Sequence, residues 1–231
     1  MNKDQPRIVV RIEISTLSNS DGKLNRKKMD RLAMILSNLR NSGKYILVVS
    51  SGAIALGTEK LKLEKQPVSL IEMQATAAIG QAELIKFYQN YFDEYNQIVA
   101  QVLLTSDIMD DETRVNNARN TFNTLLGMNI IPIINENDAV SSADIELDDN
   151  YPLALKVAKI AQADAILIKL DANGKFLLVK KGINNALLAE DEYKLFNKIE
   201  EAFHMNEPST DIEQEFPPSI ETINFNSIGA I

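Results

Sequence analysis

The sequence has no cysteine, one histidine and only nine glycines in 231 residues, and each shortage excludes something. Without cysteine there can be no disulfide and no thiolate metal ligand. The single histidine, His204, argues against a histidine-based metal centre or a histidine general base, and we predict no metal site built from protein side chains alone. Few glycines leave little of the flexible backbone from which phosphate-binding loops are usually made.

Positive charge is also in short supply. The chain carries 24 lysines and arginines against 32 acidic residues, a net charge of −8. This balance predicts neither a nucleic-acid partner nor binding to an anionic membrane surface. No apolar run approaches membrane-spanning length, and the first ten residues lack the apolar core of a signal peptide, so we expect a cytoplasmic protein.

What the sequence does contain is an alternation of apolar strands with amphipathic helices, which predicts an α/β fold. The predicted strands cover 7–14, 45–49, 98–104, 130–134, 165–170 and 175–179. The predicted helices cover 24–41, 53–56, 69–95 with a break near Gly80, 112–126, 153–163 and 193–203. We expect one domain over 1–205, followed by an irregular tail over 206–231 that holds three prolines and shows no periodicity.

The polar end of the strand predicted at 130–134 is the strongest sign of a ligand site. Four polar residues, Asn135 to Asp138, follow this apolar run without interruption. A strand that ends in short polar side chains is where α/β sheets bind ligands. The alternative is a plain turn, because Asn and Asp are ordinary turn formers, although a turn requires only one or two of them.

Five segments carry a resemblance to a known family. They are VVSSGAIALG (48–57), QATAAIGQAELI (74–85), QVLLT (101–105), NNARNTFNTLL (116–126) and IIPIINENDAV (130–140). In the residues of these segments and in their order along the chain, the protein resembles the glutamate 5-kinases of the amino acid kinase family. The resemblance implies a three-layer αβα sandwich around a mainly parallel sheet, and a homo-oligomer (dimer or tetramer). It also implies phosphoryl transfer from Mg-ATP to the γ-carboxylate of L-glutamate, or a similar small acid, in proline biosynthesis.

By this resemblance Ser51, Asp138 and Asn150 occupy the family's glutamate-binding positions. Asp138 would accept hydrogen bonds from the substrate ammonium group, and Ser51 and Asn150 would donate to the substrate. The structural alternatives are a helix cap for Ser51 and turn formers for the other two. On this interpretation the acid-binding half of the site is intact.

The phosphate-binding half departs from the family. Its first strand ends in Lys-x-Gly-(Ser/Thr)-Ser, and here Arg11 replaces the catalytic lysine and Glu13 replaces the glycine. Arginine keeps the charge but changes reach and geometry. Glu13 would place an anion beside the phosphates, unless it points away into solvent. Both substitutions predict weaker binding of ATP.

Three further family positions are altered. Tyr151 stands where the family has an aspartate that organises its catalytic lysines. The family's nucleotide-binding motif Thr/Ser-Asp-x-x-Gly corresponds here to Leu170-Asp171-Ala172-Asn173-Gly174. This segment keeps Asp171 and Gly174, but Leu170 has no hydroxyl group. A glycine-rich Gly-x-Gly-Gly-Met-x-Thr-Lys segment has no counterpart up to Ile231. ATP and Mg are therefore the cofactors implied by the resemblance, with weak binding expected.

Three functions follow from this combination. The first is a glutamate 5-kinase homologue of low or absent activity. The second is a non-catalytic subunit that senses glutamate or proline, or that pairs with an active kinase. The third is an active kinase for another small acid, with Arg11 in place of lysine.

Overall fold

The computed structural model describes residues 5–19, 23–140, 150–171, 175–181, 186–189 and 192–204, together with Phe216. Within these residues a seven-stranded sheet forms the centre of the molecule. Its strands are β1 (Arg7–Ile12), β2 (Tyr45–Ser50), β3 (Val99–Leu104), β4 (Ile131–Glu136), β5 (Ala165–Lys169), β6 (Phe176–Lys180) and β7 (Leu187–Ala189). The strand order is β3-β4-β2-β1-β5-β6-β7. The first five strands in this order run parallel to one another. Strand β6 is antiparallel to β5, and β7 is antiparallel to β6.

Helices cover both faces of the sheet. They are α1 (Arg26–Asn41), α2 (Ala53–Leu61), α3 (Leu70–Asp93), α4 (Glu112–Gly127), α5 (Tyr151–Ala161) and α6 (Glu192–His204), and 3-10 turns occupy Ile14–Leu17 and Ile108–Asp110. Three helices begin at side-chain caps that the sequence supplies locally. Asn25 accepts from the Lys28 amide at 3.1 Å, Ser69 forms a reciprocal capping box with Glu72, and Asp111 accepts from the Thr113 amide at 2.8 Å.

Strand alternation divides the buried side chains into two cores, one on each face of the sheet. On one face, Ile8, Val10 and Ile12 of β1 pack in a cluster with residues of α1, α3 and α6. On the other face, Val9 of β1 packs in a cluster with residues of α4 and α5. The result is the three-layer αβα sandwich with a mainly parallel sheet, so the expected fold class is confirmed.

The expected break near Gly80 is wrong, since α3 runs unbroken from Leu70 to Asp93. A Cβ atom at Gly80 would lie 1.6 Å from the carbonyl oxygen of Ala53, and one at Gly57 would lie 2.1 Å from the carbonyl oxygen of Thr76. The two glycines therefore allow α2 and α3 to pack backbone against backbone. Close helix contact, and not a kink, explains Gly80.

Other differences concern strand ends. The first strand ends at Ile12, two residues earlier than expected, and Ile14 begins a 3-10 turn. The fourth strand continues to Glu136, into the polar run. The three-residue β7 was not expected at all. The tail expected over 206–231 lies outside the described residues except for Phe216, which is partly buried against the α4/α5 core.

Among the described residues, no helix combines the length and apolar character needed to cross a bilayer.

Candidate functional site

The carboxyl ends of β1, β2 and β4 lie side by side, and the polar residues expected at the site follow directly from them. Ile12 of β1 is level with Ser50 of β2, and Val49 of β2 is level with Ile134 of β4. Because these three strands are parallel, the residues after each strand emerge at the same edge of the sheet. Ser51 and the 136–138 segment are thus brought to one edge by topology alone.

Asn150 joins two of these strand ends. It is the N-cap residue of α5, and its carboxamide nitrogen donates to the carbonyl oxygens of Ile12 at 3.2 Å and Val49 at 3.4 Å. The side chain is buried, with 7% of the residue exposed, and its oxygen Oδ1 meets no donor among the described residues. The nitrogen expected to donate to the substrate is thus directed at two backbone carbonyls within the chain. The oxygen is suited instead to accept a hydrogen bond from a ligand or a water, because a buried acceptor without a donor is costly.

Asp138 lies half-buried at the end of the polar run. Burial raises the pKa of its carboxyl to about 6, and the neighbouring Glu136 carboxylate adds to the shift. At neutral pH the group is still mostly ionised, in surroundings that stabilise a negative charge poorly. An ammonium group placed against it would offset both causes of the shift, which is the chemistry expected for Asp138 by the family resemblance.

Ser51 lies between β2 and α2, and its amide donates to the carbonyl of Ile12 at 3.3 Å. The next residue, Gly52, has a φ of +102° and is the N-cap of α2 without a side-chain cap bond. A Cβ atom there would lie 2.3 Å from a methyl carbon of Ile14. The side chain of Ile14 therefore packs directly against Gly52, the residue before the first turn of α2.

Arg11 and Glu13 form an ion pair at the end of β1. The guanidinium group of Arg11 donates through Nη2 to a carboxylate oxygen of Glu13, with 5% of the Arg11 side chain and 31% of the Glu13 side chain exposed. The sequence suggested that Glu13 either lies beside the phosphates as an unpaired anion or points into solvent. In the structure its carboxylate binds Arg11 instead. The cation at the family's lysine position is neutralised from within the chain.

Tyr151 is 1% exposed and belongs to the core under α4 and α5. It is the first residue of α5, and Pro152 follows it in the first turn, where a missing amide hydrogen costs nothing. The ring is a packing element, and it places no carboxylate at the position where the family has an aspartate.

The residues expected to bind nucleotide lie at the turn after β5. Leu170 is partly buried against the α4/α5 core, and its amide donates to the carbonyl of Lys175 at 2.9 Å. The Asp171 carboxylate accepts from the Lys175 amide at 3.1 Å, so it closes the turn between β5 and β6. Gly174 lies outside the described residues.

These observations decide whether Mg-ATP fits the described residues. A triphosphate requires cations, exposed amides or glycines close to its oxygens. Here the arginine is paired with Glu13, and the apolar side chain of Ile14 packs against Gly52 just before α2. No group of three or more histidine or carboxylate side chains is gathered for a metal ion in the part of the chain that is described. In this conformation the phosphate side of the site does not fit the nucleotide.

A second cleft lies at the opposite, amino edge of the sheet and is lined in part by Arg40, Lys44 and Asn129. Its cations are already engaged. Lys44 is paired with Glu200, and Arg40 donates to the carbonyl oxygen of Asn129 at 3.2 Å. This cleft is therefore a weaker candidate than the carboxyl edge.

Two residues at the site were missed by sequence reasoning. Ile14 was expected at the end of the first strand, and its packing on Gly52 requires a turn that strand periodicity does not predict. Gln81 lies in the 74–85 segment that resembles the family, and its side chain donates to the carbonyl oxygen of Glu136 at 3.1 Å. A polar residue that replaces an apolar one on the inner face of a helix is the signal that could have identified it.

The comparison with known families agrees with this arrangement. The family model described as the amino acid kinase family matches residues 6–192. The chain belongs to the amino acid kinase family. The resemblance noted in the sequence and the fold are thus explained by common descent.

Curated relatives identify the branch of the amino acid kinase family to which the chain is similar. A glutamate 5-kinase from Clostridium perfringens is 40% identical over 203 residues, which cover 86% of this chain and 76% of that protein. Glutamate 5-kinases from Listeria monocytogenes and Enterococcus faecalis are 43% and 45% identical, and each match covers 74% of this chain and 64% of the relative. The chain thus spans somewhat less than two thirds of these two relatives. The resemblance to glutamate 5-kinases is confirmed.

Solved structures agree on the fold. A carbamate kinase from Giardia lamblia bound to AMP-PNP matches with a TM-score of 0.53 and 10% identity, over 77% of each chain. A second structure of Giardia carbamate kinase gives a TM-score of 0.51 and 10% identity, over 74% of this chain and 77% of that one. At this identity the likeness concerns the fold alone.

Proposed function

We propose that this chain is a glutamate 5-kinase homologue that binds L-glutamate, or a similar small amino acid, and transfers phosphoryl groups slowly or not at all. The observation that carries the proposal is the ion pair between Arg11 and Glu13. The carboxylate of a glutamate substrate is ionised at neutral pH, so the reaction needs no general base. It needs positive charge to bring two anions together, and the chain has neutralised that charge.

The amino-acid half of the proposal is supported by polar groups at the carboxyl edge of the sheet. Asp138 carries a half-buried carboxylate that an ammonium group would stabilise, and Asn150 presents a buried oxygen that meets no donor among the described residues. Ser51 and Asn150 both bind the carbonyl oxygen of Ile12, Ser51 through its amide and Asn150 through its side chain. These groups suit the α-amino end of an amino acid, with Asp138 as the charged acceptor and the two neutral side chains fixing its orientation.

Calorimetry and a coupled ADP assay test both halves separately. We expect glutamate to bind, Mg-ATP to bind weakly or undetectably, and ADP release to stay near background. Efficient glutamate-dependent ADP release would refute the slow-transfer proposal and leave an ordinary glutamate 5-kinase. Absence of glutamate binding would refute the amino-acid site.

A non-catalytic partner subunit is the second candidate, and exposed apolar side chains around the connection between α2 and α3 support it. Val68 is 86% exposed and Ile71 is 77% exposed, and Leu61, Leu63 and Leu70 are exposed nearby in the sequence. Apolar surface of this kind commonly marks a protein interface. Size-exclusion chromatography of the pure chain and affinity capture from native extract distinguish the alternatives. Self-association alone would favour a homo-oligomer, whereas co-purification of an active kinase would favour a partner subunit.

A further inference from the structure

Gln81 connects the long helix α3 to the site. It is 7% exposed, and its carboxamide nitrogen donates to the backbone carbonyl of Glu136 at 3.1 Å. Pairing of β4 with β2 ends at Ile134, whereas pairing with β3 continues to Glu136, and the Asn137 amide donates to the carbonyl oxygen of Leu104 at 2.7 Å. Gln81 therefore adds a side-chain hydrogen bond, two residues before Asp138, to a backbone that β3 holds on one side.

The polarity of this contact is set by a second glutamine. The oxygen of the Gln81 carboxamide accepts from the side-chain nitrogen of Gln101 at 3.2 Å. Gln101 is exposed on β3, the edge strand of the sheet. Because a carboxamide has one donating and one accepting end, a donor at Gln101 keeps the nitrogen of Gln81 directed at the Glu136 carbonyl.

Helix packing fixes the origin of the Gln81 side chain. Gly80, the preceding residue, lies so close to Ala53 that no Cβ atom could be accommodated. The backbone of α3 is thereby held against α2 at this point, and the Gln81 carboxamide reaches Glu136 from a constrained position. Few rotamers of a glutamine anchored in this way could make both hydrogen bonds.

We infer that Gln81, oriented by Gln101, is a positioning residue for Asp138 and thereby sets the selectivity of the site for ligands that carry an ammonium group. The inference rests on the proposed amino-acid site. It goes beyond that site because neither glutamine touches the ligand: they fix the backbone from which the ammonium acceptor projects. Loss of this restraint lets the 136–138 segment shift, and the acceptor then meets the ammonium group less well.

The comparison of glutamate with glutarate isolates this effect. Glutarate has both carboxylates but no ammonium group, so it makes no favourable contact with Asp138 that a shift of the 136–138 segment could weaken. We expect Gln81→Met to lower glutamate affinity roughly three- to tenfold, the loss of about one hydrogen bond, and not to lower glutarate affinity. A merely structural role would lower both affinities or neither, and either result would overturn the inference.

Gln97→Met is the matched control. Gln97 is another buried glutamine, 6% exposed, and it donates to the carbonyl oxygen of Tyr95 at 3.2 Å and to Asn41 at 3.3 Å, away from the carboxyl edge. Its loss should change neither affinity. If wild-type protein binds neither ligand, the proposed function fails; if wild type binds both and Gln81→Met keeps the wild-type ratio, only the positioning role fails.

Substitutions at the exposed Gln101 test the same idea without disturbing the core. Gln101→Glu replaces the donor with an acceptor, which would turn the Gln81 carboxamide so that two oxygens face each other at Glu136. Gln101→Lys keeps a donor. We expect the ratio of glutamate to glutarate affinity to fall in the first variant and to be retained in the second, and equal ratios in the two variants would contradict the proposed relay.

Discussion

Replacement of Glu13 by glutamine tests the reason for weak phosphate binding. An incoming phosphate must compete with the Glu13 carboxylate for the positive charge of the Arg11 guanidinium group. Glu13→Gln keeps the side chain's size and removes its charge. We expect the variant to be less stable than wild type and to bind polyphosphate more tightly.

The magnitude follows from the surroundings of the pair. Two unit charges about 4 Å apart attract by about 1 kcal/mol in water and about 4 kcal/mol at an effective dielectric constant near 20. The Arg11 side chain is 5% exposed and the Glu13 side chain is 31% exposed, so the pair lies between these limits. We therefore expect a loss of about 2–3 kcal/mol in the free energy of unfolding. The same energy no longer opposes an incoming anion, and its affinity should rise by up to about 100-fold.

Lys44 and Glu200 provide a control pair. Their side chains are 5% and 29% exposed, nearly the same as those of Arg11 and Glu13, and they connect the start of β2 to α6. Glu200→Gln should lower stability by a comparable amount and raise polyphosphate affinity less than Glu13→Gln does, because it frees Lys44 at the amino edge of the sheet and not Arg11. Urea unfolding measures the first quantity, and calorimetry with Mg-ATP and with inorganic tripolyphosphate measures the second. The reasoning is refuted if tripolyphosphate binds no more tightly to Glu13→Gln than to Glu200→Gln.

Two further substitutions test the site and the fold. Asp138→Asn should abolish glutamate binding and yet stabilise the protein at pH 7.5. The pKa of Asp138 is raised from 3.8 to about 6, so its favourable contribution to folding stability is complete below pH 4 and is lost as the pH rises through about 6. Urea unfolding at pH 4 and pH 7.5 would contradict this if, at pH 7.5, the variant were no more stable than wild type. Gly80→Ala should destabilise by about 3 kcal/mol or more, because its Cβ would meet the Ala53 carbonyl. A Cβ at Gly43 would make only an ordinary contact, 3.6 Å from the Gln5 side chain, so Gly43→Ala should lose only about 1–2 kcal/mol from its φ of +91°. Similar losses at the two glycines in urea unfolding would refute the close contact of α2 with α3.

The main elements of the fold could be predicted because their signals are local. Buried parallel strands appear as continuous apolar runs, and helices such as α1 show their apolar period. The strand β7 has three residues and is defined by its antiparallel partner β6, so no local pattern indicates it. Gly80 was misjudged because the same residue suits a helix break or a close helix contact, and only the position of α2 decides between them.

The site divides in the same way. Polar residues after parallel strands must meet at one edge, so the neighbourhood of Ser51 and the 135–138 run followed from topology. The pairing of Arg11 with Glu13 could have been inferred as well, because residues two apart near the end of a strand project to the same side. The packing of Ile14 on Gly52 could not, since it depends on the turn that replaces the last residues of the expected strand.

The burial of Tyr151 limits which residues this position can accept. An aspartate, the residue that the resemblance implies here, would remove a fully buried ring and leave a carboxylate in an apolar core. The lost ring alone corresponds to about 3–5 kcal/mol, against a total stability of about 5–15 kcal/mol for a typical domain. An aspartate at this position would thus require compensating changes in α4 and α5.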